Sequence, residues 1–138
     1  MNLIDEYNKK YEFFHSITGE AMRVHSKYKS GLLESAYESA LKYLLEQKGF
    51  TVERQVYVPM YWDEVKLDQN YRLDLVVNKN IIVELKATKG TGNEQRRQLF
   101  NYMNLTHLPY GMILNFGMKS LYFEWYHRDE DTGEIERV

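Results

Sequence analysis

The chain has 138 residues, of which 43% are apolar and 28% charged, with a formal net charge of −2; this describes one ordinary globular domain, residues 1–138, able to bury its own core. It contains no cysteine, which excludes disulfides, thiolate zinc sites and iron–sulfur clusters. No stretch approaches the run of about 20 apolar residues that spans a bilayer, and the start, MNLIDEYNKKYEFF, lacks a basic-then-apolar leader, so a cytoplasmic location without a membrane partner is expected.

Residues from about Leu3 to Tyr28 read as helical, because Ile17, Ala21, Val24 and Tyr28 recur at helical spacing. One long helix and two helices with a break near Thr18-Gly19 both fit; the first 16 residues are an N-terminal extension. A second helix follows Gly31 and stops near Gly49, with Leu33, Tyr37, Ala40, Leu41 and Leu44 on its apolar face. TVERQVYVPMYW alternates as a strand with Pro59 near its end, and Asp63-Glu64 reads as a turn. YRLDLVV and IIVELKA form a hairpin across Asn78-Lys79-Asn80. After the loop TKGTGNEQ, Thr91 and Glu94 predict a capping box for a third helix through Asn104.

YGMILNF is apolar throughout, as in a strand buried on both faces. SLYFEWYHR alternates, with Leu121, Phe123 and Trp125 on one side; these aromatics either pack on the core or line an interface, which makes a homodimer an expectation. Residues 118–138 are then a strand plus an acidic tail. The order is helix, helix, three strands, helix, two strands: a mixed α/β domain whose third helix is long enough to be a crossover.

The hairpin carries the chemistry. With a three-residue loop Asp74 lies opposite Glu84, their Cβ atoms roughly 5 Å apart. Glu84 and Lys86 share a face because strand side chains alternate. Two close carboxylates repel unless a cation or proton lies between them, so the set suits a hard divalent ion with a lysine beside it. Charged alternation on a solvent-facing strand is the bland alternative, but both segments are apolar on either side of the charges. In that register Arg72 also falls opposite Lys86, a costly pairing unless carboxylates and an anion lie among them.

Glu34 projects between Leu41 and Leu45 at the margin of the second helix's apolar face. It serves either the site or a salt bridge to a core-edge arginine. His25 reads as a capping or core-edge residue, and no pair of histidines has metal-ligand spacing.

Together these residues resemble the PD-(D/E)XK nuclease superfamily and, more narrowly, its small prokaryotic GxxExxY group. The naming motif stands as Gly31-Leu32-Leu33-Glu34-Ser35-Ala36-Tyr37, followed in order by YRLDLVV, VELKA, QLFNYMNL and ILNFG, from about Ile17 to Gly117. The superfamily's proline is absent, Leu73 preceding Asp74, and the group's GPG reads Lys29-Ser30-Gly31.

The resemblance implies a restriction-endonuclease-like core: a mixed central sheet of about five strands flanked by helices. It further implies a metal-dependent nuclease cutting phosphodiester bonds in DNA. Asp74, Glu84 and the carbonyl of Leu85 would bind magnesium or manganese, with Glu34 completing the shell. Lys86 would polarise the attacking water, and Gln98 matches the glutamine of the RecB-like branch, with Tyr102 its motif neighbour. The basic loop of Lys89, Arg96 and Arg97 would grip the phosphate backbone. The alternative is a non-catalytic module that keeps the fold for binding nucleic acid or protein.

Overall fold

A computed structural model describes residues 2–138. Among them, helices α1 (Leu3–Lys10), α2 (Glu12–Tyr28) and α3 (Glu34–Gln47) precede strands β1 (Val52–Trp62), β2 (Val65–Val77) and β3 (Ile81–Lys86). Helix α4 (Asn93–Thr106), β4 (Tyr110–Asn115), β5 (Tyr122–Arg128) and β6 (Ile135–Arg137) complete the order. The strands form one sheet in sequence order, antiparallel except for the parallel β3–β4 pair that α4 bridges as a crossover. The expected mixed α/β architecture is therefore present, with six strands rather than five. The sixth comes from the acidic tail, which folds back onto β5.

Two apolar clusters sandwich the sheet. On one face Phe14, Ile17, Ala21, Val24, Tyr37, Leu41 and Leu45 from α2 and α3 meet Leu75, Val83, Leu85, Met112 and Leu114. On the other, Leu99, Tyr102 and Met103 from α4 meet Leu73, Val76, Ile82, Ile113 and Tyr126. The half-buried Phe123 and Trp125 of β5 pack on the first cluster, with Trp125 stacked on Phe14. Among the described residues no helix is long and apolar enough to cross a membrane.

Several boundaries differ from those the sequence predicts. The break between the first helices falls at Tyr11, not at Thr18-Gly19, because Thr18 is buried and takes a hydrogen bond from the Trp125 indole. α4 is capped one residue later than expected: the Gly92 N–H donates to the Gln95 side chain, in place of the predicted Thr91–Glu94 box. Leu33 is not on the buried face of α3 but is its exposed N-cap residue.

The deepest irregularity lies in β1 and β2. Val52 and Arg54 face α3, whereas Val56 and Val58 pack on the α4 side. Across the ladder Leu75 and Val77 belong to the α2/α3 cluster and Leu73 to the α4 cluster. Both strands thus exchange faces at one level. Arg54 pairs with Leu75 and Val56 with Leu73, so the crossing occurs at Gln55 and Asp74. Gln55 carries the turn-like backbone, φ +50°, that a regular strand does not allow.

Candidate active site

The crossing lifts Asp74 out of the ladder. β2 and β3 pair Leu75 with Val83, Val76 with Ile82 and Val77 with Ile81, and the recorded pairing goes no further. Beyond it, side chains replace main-chain partners: the Asp74 N–H donates to Glu84 Oε1 at 3.1 Å, and the Leu85 N–H donates to Asp74 Oδ2 at 2.9 Å. Each carboxylate is therefore clamped on the opposite strand, and the two meet in the register the loop length predicts. Asn78 and Lys79, both at φ +53°, close that loop.

Electrostatics at this point are uphill. Burial, then the neighbouring Asp74 charge, push the Glu84 carboxyl up to about 9. Burial also raises Asp74; the Leu85 N–H opposes this, while the charge of Glu38 adds to it. Lys86 offsets part of the repulsion at both acids. Its Nζ donates to Gln98 Oε1 at 3.5 Å, and Gln98 Nε2 donates to the Tyr102 hydroxyl at 2.8 Å. Burial, then the Glu84 charge, raise the Tyr102 phenol as well. Lys86, Gln98 and Tyr102 thus come together on the α4 side of the sheet, beside the Asp74–Glu84 pair. An open cleft lined by Tyr71, Glu94, Arg97, Gln98, Asn101 and Tyr102 leads away from them.

Glu34 does not join this group. It is exposed on the first turn of α3, in a cleft with Leu32, Leu33, Ser35 and Ala87, the residue after Lys86. The buried acid on that helix stripe is Glu38, one turn deeper and 3% exposed, which sequence reasoning missed. It accepts from Arg54 Nε at 2.8 Å and from Gln55 Nε2 at 2.9 Å. The rest of the GxxExxY segment is architectural. Gly31 takes φ +110°, and the buried Tyr37 hydroxyl donates to the Lys29 carbonyl and accepts from the Leu32 N–H, pinning the loop before α3.

The basic residues divide. Lys89 and Arg97 are exposed, and Arg97 lines the cleft. Arg96 instead makes a two-pronged pair with Glu124 of β5, Nε to Oε1 at 2.7 Å and Nη2 to Oε2 at 2.6 Å. Glu124 is 1% exposed and also accepts from the Tyr122 and Tyr126 hydroxyls. A strand acid flanked by Phe123 and Trp125 gave no sequence signal beyond ordinary alternation.

Among the described residues no three acidic, histidine or cysteine side chains are grouped to hold a metal. A pair of carboxylates with neutral oxygens beside it suits magnesium or manganese, which accept both kinds of donor. One neutral oxygen on the strand opposite Asp74, Gln55 Oε1, is a buried side-chain acceptor without a hydrogen-bond partner. The donor set is all-oxygen and fits a hard dication.

A search of curated proteins and one of solved structures each returned no match to this chain. The family model described as the PD-(D/E)XK nuclease superfamily matches residues 11–126, from the end of α1 through most of β5. That span holds the whole hairpin, α3 and α4, and the chain accordingly belongs to the PD-(D/E)XK nuclease superfamily.

Proposed function

We propose that the protein is a metal-dependent nuclease that hydrolyses phosphodiester bonds in DNA at Asp74, Glu84 and Lys86. The observation that carries the reading is the acid pair itself, held across an opened ladder where burial and mutual repulsion oppose the ionisation of Glu84. Asp74, Glu84 and the carbonyl of Leu85 would hold magnesium or manganese. When bound, such an ion supplies a Lewis acid and a template for a hydroxide-like nucleophile.

The chain's own groups do the remaining work. Asp74 and Glu84 bring negative charge to one point on rigid strands. Lys86, oriented by Gln98, offers a compact cation to the phosphate as its charge grows. Tyr102 fixes the Gln98 amide, because its hydroxyl accepts from Nε2. Arg97 lines the cleft, and with the exposed Lys89 it would hold the sugar–phosphate backbone without reading bases.

The test is cleavage of single-stranded, duplex and branched DNA with magnesium or manganese. Asp74→Asn and Lys86→Ala are expected to lower turnover by about 10³-fold. Turnover that survives either change overturns the assignment.

A further inference from the structure

We propose that Gln55 of β1 is a direct ligand of the cation, its Oε1 adding a neutral oxygen to the carboxylates of Asp74 and Glu84. This rests on the reading that the acid pair binds a hard dication, and it goes beyond that reading by assigning a ligand that the nuclease motif does not contain.

Three independent observations converge on Gln55. The first is register: Arg54 opposite Leu75 and Val56 opposite Leu73 leave Gln55 across from Asp74, at the level where both strands exchange faces. The second is backbone. Gln55 holds φ +50°, a conformation costly for a residue with a side chain, and it persists because the packing on either side of the crossing requires it. The third is hydrogen bonding.

Glu38 is acceptor-only as a carboxylate, and Gln55 Nε2 donates to both its oxygens at 2.9 Å. That contact dictates which end of the amide faces Glu38. The nitrogen turns to the helix, so the oxygen turns away from it. Oε1 is then buried with no donor, the only buried side-chain polar atom so left among the described residues. Buried acceptors are rarely left unpaired, and a cation satisfies one as well as a donor does. The amide thus joins Glu38 of α3 to the level of β1 that lies across from Asp74, and the Glu38 charge bears on Asp74 as well. In this arrangement Glu38 is a positioning residue: it aims the amide and does not itself touch the ion.

The experiment measures metal binding without DNA. Manganese affinity is read by calorimetry, and the waters bound to terbium are counted from its luminescence decay in light and heavy water. Gln55→Met keeps the side chain's length but has no oxygen; Gln55→Asn keeps the amide but withdraws it. Both are expected to weaken manganese binding about tenfold and to add about one water to the bound terbium, as solvent fills the vacated position. The Asn variant carries the test if the Met variant does not fold.

Folded variants in which affinity falls while the water count stays at the wild-type value overturn direct ligation, since a structural role alone gives that result. Unchanged affinity overturns it too. If Asp74→Asn weakens binding while the Gln55 variants do not, the nuclease reading stands and only this assignment falls. A wild-type protein that binds neither ion at millimolar concentration removes both.

Discussion

Replacing Arg96 with alanine is expected to cost about 3 kcal/mol of folding stability. The figure follows from what the guanidinium holds. Glu124 is 1% exposed and receives two short hydrogen bonds from Arg96. Breaking a buried ion pair on one side typically costs 3–5 kcal/mol, because the surviving charge is left without its partner (~4 kcal/mol at the centre of that range). The Tyr122 and Tyr126 hydroxyls keep donating to Glu124, which favours the low end.

At roughly 4 °C per kcal/mol for a chain of this size, the melting temperature should fall by about 12 °C. Burial alone would raise the Glu124 carboxyl, but hydrogen bonds from Arg96, Tyr122 and Tyr126 outweigh it and hold the group down at about 2. That stabilisation is present above the unfolded value of 4.5 and is lost as pH falls from there towards 2. Thermal melts followed by circular dichroism should therefore show the Arg96→Ala deficit in full at neutral pH and a smaller one in acid. Arg96→Leu combined with Glu124→Leu should recover most of the loss. A melting temperature within about 3 °C of wild type, together with a steep loss of DNA affinity, would refute the reasoning and return Arg96 to the phosphate-binding surface.

Other outcomes are equally specific. Glu84 has a folded pKa of about 9 against 4.5 unfolded, so its ionisation favours the unfolded chain progressively as pH rises between those values. Without divalent ions Glu84→Gln should melt several degrees above wild type at about pH 8, with the gap closing near pH 4; added magnesium should raise the melting temperature of wild type more than that of the variant. Gly117→Ala puts a Cβ 2.3 Å from the Thr88 nitrogen and 2.5 Å from the Ala87 carbonyl carbon, which nothing but backbone movement relieves. It should cost about 3 kcal/mol in a denaturant titration and shift the segment just after Lys86. Lys89→Ala and Arg97→Ala should each lower the slope of log affinity against log salt by about 1, measured with an inactive variant on several unrelated DNA sequences.

The meeting of Asp74 and Glu84 was legible because two local facts sufficed: a three-residue loop sets the register, and a strand's period of two sets the faces. The crossover helix and the buried β4 were legible for the same kind of reason. The face exchange was not. Val52, Arg54, Val56 and Val58 have one parity and read as one face, yet the twist that brings β1 under α3 at one end and beside α4 at the other sends them to two. Glu38 was hidden by helix length. It lies on the same stripe as Glu34, but Glu34, Ser35 and Ala36 at the start of α3 are exposed and burial begins only at Tyr37. Arg96 and Glu124 lie 28 residues apart, and no local pattern announces that a basic residue in the first turn of α4 has a buried acid waiting on β5.

The acid pair sits where it does because the surrounding fold is stiff. Left free, Asp74 and Glu84 would separate or take up a proton, since burial and mutual repulsion both oppose two charges at this point. They are prevented from separating by the clamps to main-chain N–H groups, which would themselves be stranded by the movement. Those N–H groups in turn are fixed by the ladder that begins one residue away, at Leu75 and Val83, both fully buried against α2 and α3. On the other side Leu73 of β2 and Tyr102 of α4 close over the same level. A site assembled on strands between two cores cannot relax by moving its backbone, so its remaining way to lower its energy is to bind positive charge. That is why the irregular level of the sheet, the least stable part by its own interactions, is the part where a dication would be held most strongly.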